Sequence, residues 1–96
     1  MTTITKTIRL SSNLRQIAGS KEVMVDVPPG ATVVDLLEAL RRVYPALGDH
    51  ILETNGGLKA GIQLLIDGRH IDFLQGLKSP VDRARELFLI PPVSGG

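Results

Sequence analysis

Apolar and polar positions alternate with period two at several places along the chain, and with a helical period at one long stretch between them. Near the start, Ile4, Ile8 and Leu10 alternate with Thr5, Thr7 and Arg9, which predicts a strand over 4–10. Lys6 interrupts its apolar set. Val23, Val25 and Val27 line one face of a second strand, with Met24 on the other. Between the two, Leu14, Ile17 and Ala18 have helical spacing and predict one short turn, broken at Gly19-Ser20. The two strands read as an antiparallel hairpin. Pro28-Pro29-Gly30-Ala31 ends it, and Thr32 then caps a helix, with Asp35 placed to reach back in a capping box. Val33, Leu36, Leu37, Leu40, Val43 and Tyr44 form the apolar stripe, and Asp35, Glu38, Arg41 and Arg42 face away. Pro45 disfavours helical geometry at Tyr44 and ends the helix there.

Leu47, Ile51 and Leu52 predict a short second helix, and Asn55-Gly56-Gly57 a turn. Ile62, Leu64 and Ile66 alternate into Asp67-Gly68, a hairpin-type turn, with Leu65 on the opposite face and a return strand over 69–73. Ser79-Pro80-Val81-Asp82 has serine at a cap and proline at a first helical position, so a helical turn is expected. The final strand, 86–90, contains Leu87-Phe88-Leu89-Ile90, apolar on both faces, which suits a central position. Two strands, one main helix and two or three further strands make an α+β domain. A mixed sheet of four or five strands carries that helix on one face. Placing the last strand beside the first makes that pair parallel, which is the β-grasp (ubiquitin-like) pattern.

The 96 residues suffice for one domain, and 43% hydrophobic with 22% charged residues is ordinary for a globular protein. The absence of cysteine excludes disulfides, thiol catalysis and thiolate metal sites. A formal charge of +1 with dispersed Lys and Arg gives nucleic-acid binding no support. No apolar run is long enough for a membrane span, and Met1-Thr2-Thr3-Ile4 does not open a signal peptide, so a cytoplasmic location is expected by default. Asp67-x-x-His70-x-Asp72 has donors for a metal, but on a hairpin it reads as a solvated turn, and no metal is expected. Gly56-Gly57 lacks the Gly-Lys-Ser continuation of a phosphate loop. Arg83 and Arg85 fit either an acidic partner or a solvated turn.

The sequence divides into a body, 1–90, and a tail, 91–96. Pro91 and Pro92 have no N–H for a ladder and stop the last strand. Val93 and Ser94 follow, and Gly95-Gly96 has no side chains. Glycine is selected where backbone must turn or approach another surface closely. A terminal pair suits threading of a bare carboxylate into a narrow active site, where any Cβ would clash.

The chain resembles the MoaD/ThiS group of sulfur carriers, together with small archaeal modifiers and CysO-type carriers. The resemblance lies in Leu14-Arg15-Gln16-Ile17-Ala18-Gly19, in Ala31-Thr32-Val33-Val34-Asp35-Leu36-Leu37, in Ile66-Asp67-Gly68, and most specifically in Phe88-Leu89-Ile90-Pro91-Pro92-Val93-Ser94-Gly95-Gly96. It departs at Asp82-Arg83-Ala84-Arg85-Glu86, where the group often has an Asp-Gly-Asp-Glu-like turn. The resemblance implies a carrier and not an enzyme, most like a MoaD-type small subunit of molybdopterin synthase. It implies that the Gly96 carboxylate is adenylated by an ATP-dependent, ubiquitin-activating-type (MoeB/ThiF-like) enzyme, with Gly95 keeping the approach open. A sulfur nucleophile then gives a thiocarboxylate for a MoaE-like or other acceptor; the alternative is an isopeptide bond to a target-protein lysine. No cofactor is expected on the chain itself, since ATP belongs to the activating enzyme. The resemblance also favours Leu87 and Leu89 inward. Phe88 and Ile90 then join Met24, Leu65, Pro91, Pro92 and Val93 in an expected docking surface.

Overall fold

The computed structural model describes residues 2–92. Elements run β1 (Ile4–Leu10), α1 (Leu14–Ala18), β2 (Glu22–Val27), α2 (Val33–Val43), α3 (Pro45–Ile51), β3 (Gln63–Ile66), β4 (Arg69–His70) and β5 (Leu87–Ile90). Two 3-10 turns, Ile71–Phe73 and Gly76–Lys78, lie between β4 and β5. The sheet order is β2-β1-β5-β3-β4. β5 is parallel to β1 and antiparallel to β3, so the most apolar strand occupies the centre. This is the β-grasp fold, with the helices on one face of a mixed five-stranded sheet.

The core lies between that face and α2. Ile8, Leu10, Val23, Val25, Val27, Leu64, Leu87 and Leu89 meet Val33, Leu36, Leu37 and Leu40 there. Thr32 and Asp35 start α2 as their spacing predicts. The Asp35 carboxylate accepts the Thr32 N–H at 2.9 Å, satisfying a donor that the helix cannot use. α3 follows almost without a break, because Pro45 suits a first helical position. It packs closely: a Cβ on Gly48 would lie 2.9 Å from Arg41 Cα. Arg41 is therefore half-buried between the helices, and one guanidinium N–H reaches Glu53 O at 3.2 Å. The expected stripe of α2 holds through Leu40 and at Tyr44, which packs half-buried against the core, but not at Val43. Val43 is 53% exposed, because Ala39 faces inward and the chain turns into α3.

Lys6 lies on the core face of β1, not on its polar side, and is only 8% exposed. Its ammonium donates to Asp82 O at 3.2 Å and Ala84 O at 2.7 Å. A buried ammonium needs such partners, and these two carbonyls anchor the loop before β5. The same loop is held by Asp67, whose Oδ1 accepts the Arg85 and Glu86 N–H groups at 2.9 and 2.8 Å. Asp67 and Gly68 have φ of 52° and 86°, the left-handed pair that a two-residue hairpin turn of this kind requires.

Two expected elements differ. The return strand over 69–73 stops at His70, whose Nδ1 accepts the Asp72 N–H at 3.0 Å and caps a 3-10 turn that buries Ile71. Ser79-Pro80-Val81-Asp82 is not a helical turn. Ser79 O accepts the first-turn Val33 N–H of α2, and Val81 N–H donates to Ala31 O, both at 2.9 Å. One free donor of α2 and one carbonyl just before it thus take up a segment whose Ser-Pro pair resembles a helix start of its own.

Candidate functional site

β5 and the chain that leaves it form the candidate site. With helices on one face only, alternation along β5 separates its side chains: Leu87 and Leu89 are buried, whereas Phe88 and Ile90 lie half-exposed on the open face. The ladders set their neighbours. Glu22 pairs with Arg9, Arg9 with Phe88, Phe88 with Leu65 and Leu65 with His70, a row across all five strands. Ile90 stands opposite Gln63. Phe88, Leu65 and Ile90 make an apolar centre between charged flanks. Arg9 leans over it, with its guanidinium carbon 5.5 Å from the Phe88 ring centroid, within cation–π range. Arg9 also approaches Glu86 at 3.8 Å, but both side chains are more than half exposed, so this pair adds little stability.

Met24 does not join this centre, although the expected docking surface includes it. It is 59% exposed on edge strand β2 and stands opposite Thr7 of β1. The β1–β5 register carries that row on to Glu86, so polar side chains separate Met24 from Phe88. The edge at Met24 is partly covered, since its N–H reaches the Tyr44 hydroxyl at 3.4 Å.

The sequence pattern puts Pro91 in the free tail, yet it is buried. Continuing the β3–β5 register past Gln63 and Ile90 puts Pro91 opposite Ile62, also buried, and Pro92 opposite Gly61. The prolines end the hydrogen-bonded ladder but not the packing, so the body extends beyond residue 90. Pro92 itself is exposed. Val93, Ser94, Gly95 and Gly96 lie outside the described residues. Beyond Pro92 they span at most about 14 Å when fully extended, shorter than a six-residue arm. Beside this exit lies an open cleft of about 620 Å³, lined by Gly61, Gln63, Lys59, His70, Asp72 and Leu77 among others. Its floor is mixed in polarity and, among the described residues, holds no set of ligands converging on one point.

The structure does not gather Asp67, His70 and Asp72 into one ligand set. His70 Nδ1 is occupied by the Asp72 N–H, and Asp67 by the loop before β5. Among the described residues no group of three or more His, Cys, Asp and Glu side chains is placed to hold a metal. No helix is long and apolar enough to cross a membrane among them. Arg83 and Arg85 are exposed. The described side chains therefore present a half-exposed apolar strip on the open face of the sheet, which runs along β5 to Pro92.

Hydrophobic periodicity passes over Gly61, which falls in a connection. Its signal is a lone glycine just before a strand, a position that points to close backbone approach.

A model of the ThiS family matches residues 8–96. The chain is 39% identical over 88 residues to small archaeal modifier protein 1 of Haloferax volcanii, covering 92% of this chain and 97% of that one. It is 30% identical over 89 residues to small archaeal modifier protein 3 of the same organism, covering 93% and 96% respectively. The crystal structure of small archaeal modifier protein 1 from Haloferax volcanii superposes with a TM-score of 0.81 at 37% identity, covering 96% of this chain and 99% of that chain.

Proposed function

Because the chain belongs to the ThiS family of small ubiquitin-like modifiers and sulfur carriers, we propose that it carries an activated carboxyl group on Gly96. A carboxylate is a poor electrophile, since its charge is delocalised and oxide is a poor leaving group. ATP supplied by a MoeB/ThiF-like enzyme converts it to an acyl-adenylate, with release of pyrophosphate. Hydrosulfide then attacks the carbonyl, AMP leaves, and the chain ends in a thiocarboxylate. That sulfur passes to an acceptor enzyme, in the manner of a MoaD-type subunit acting on a MoaE-like partner. The observation that carries this reading is the composite that ends the sequence: a central strand, a double proline whose first member is buried, and four small residues finishing in Gly95-Gly96.

On this reading the body contributes recognition and the partner contributes catalysis. Phe88, Leu65 and Ile90 face the activating enzyme, while Gly95 leaves room for the carbonyl to enter a narrow centre. Met24 lies on the rim of that contact at most, since the sheet register separates it. A second reading is favoured by the names of two relatives, which are modifiers. The same adenylate is then attacked by a target lysine amine, AMP leaves, and an isopeptide bond forms.

Incubation with the cognate activating enzyme, ATP and sulfide tests the proposal. Intact mass should rise by one sulfur-for-oxygen exchange, confined to the C-terminal peptide. Gly-Gly remnants on lysines of cell-lysate peptides would assign the modifier branch. ATP-dependent change at neither place contradicts both.

A further inference from the structure

We infer that Gly61 is a positioning residue: it seats Pro92 and thereby sets the direction in which the reactive arm leaves the sheet. The inference starts from the ladder. Gln63 pairs with Ile90, so Gly61 falls opposite Pro92 two residues further on, on the same face as the apolar centre. Neither proline can donate to a ladder, so side-chain packing must do what hydrogen bonds do elsewhere in β5. Pro91 packs inward opposite Ile62. On the open face, the position facing Pro92 has no side chain. A Cβ built on Gly61 would lie 2.6 Å from Pro92 Cβ and 3.4 Å from its Cγ, closer than such atoms come without a shift. The proline ring therefore occupies the volume that any other residue at 61 would fill. Its position next to Ile90 makes the line Phe88, Ile90, Pro92 continuous on the open face. Among the described residues, Gly48 is the other glycine with so close a neighbour, and it sits between helices.

Gly61 also has φ of +85°, which alone disfavours a side chain. Gly30 separates the two effects. Its φ is +77°, yet nothing lies within 4 Å of a Cβ placed there. Gly30→Ala therefore adds backbone strain without touching the arm, whereas Gly61→Ala adds strain and displaces Pro92.

The consequence for activation rests on the reading of Gly96 as the reactive end, and the test has two arms. In the first, NMR of the free protein should show cross-peaks between Gly61 Hα and Pro92 ring protons. These should persist in Gly30→Ala. In Gly61→Ala the remaining Hα at this position should no longer show them. In the second arm, pyrophosphate release is followed with the cognate activating enzyme at a temperature where all variants are fully folded. Gly61→Ala should lower kcat about tenfold with KM little changed, because docking is intact and the carboxylate is misdirected. Gly30→Ala should match wild type. Adding Pro92→Gly to Gly61→Ala should restore kcat to that of Pro92→Gly alone, which relief of backbone strain cannot explain. Absence of the cross-peaks from wild type, or equal kcat for Gly61→Ala and Gly30→Ala, overturns the inference. If wild type is not adenylated at all, the proposed function fails, and the cross-peaks alone decide whether Gly61 seats Pro92.

Discussion

At the scale of single residues, the positions that break the hydrophobic pattern are the informative ones. Lys6 stands where β1 should bury an apolar side chain, and it does point inward, ending on two backbone carbonyls. Its four methylenes fill core volume while the ammonium ties down the loop before the central strand. Lys6→Ala should destabilise the domain by about 1–3 kcal/mol, since it removes charged hydrogen bonds and leaves two carbonyls less satisfied. Urea denaturation checks this, and a change below about 0.5 kcal/mol would contradict it. Gly61 is the second such position. Period-two and period-3.6 patterns report which face is apolar, and neither can reveal a contact made across the sheet by the absence of an atom. That is why alternation locates Leu65, and the family resemblance Phe88 and Ile90, while neither locates the seat of Pro92.

At the scale of elements, local chemistry is legible wherever it has no competitor. The capping residues Thr32 and Asp35, the stripe through Leu36, Leu37 and Leu40, and the Asp67-Gly68 turn all appear where the spacing puts them. Asp35→Ala should cost about 1 kcal/mol, through loss of the Thr32 N–H contact and of a negative charge at the positive end of α2. Thermal unfolding checks it. Short segments are less legible because tertiary partners decide them. Ser79-Pro80 has the signature of a helix start, but backbone hydrogen bonds with Ala31 and Val33 at the start of α2 claim its segment. Residues 69–73 begin as a strand, but His70 caps a 3-10 turn and Ile71 enters the core. The pattern puts Met24 on the correct face and in the wrong neighbourhood, because alternation gives orientation and only strand order gives distance along a sheet.

At the scale of the whole molecule, the packed core and the proposed reactive group lie in different parts. Buried apolar side chains lie between the sheet and α2, and the proposed reactive group lies at residue 96, beyond the last packed proline. Deleting Ser94 to Gly96 should therefore change stability by no more than about 0.5 kcal/mol. Leu40→Ala, at a site with 0% exposure, should cost about 2–5 kcal/mol. Equilibrium unfolding of the two variants side by side checks the separation, and unfolding of the truncated chain would contradict it. The order of strands is legible because β5 is apolar on both faces, as a central strand must be. The extent of the body is not, since proline ends a ladder without ending the packing beside it. The central claim is that the carboxylate of Gly96 is the group that reacts. The most direct measurement is adenylate formation by the cognate activating enzyme on two chains, one ending at Gly96 and one extended by a single alanine. The account predicts an adenylate on the first and none on the second, because the extra residue displaces the carboxylate and places a Cβ in its channel. Equal adenylate formation on both would contradict it.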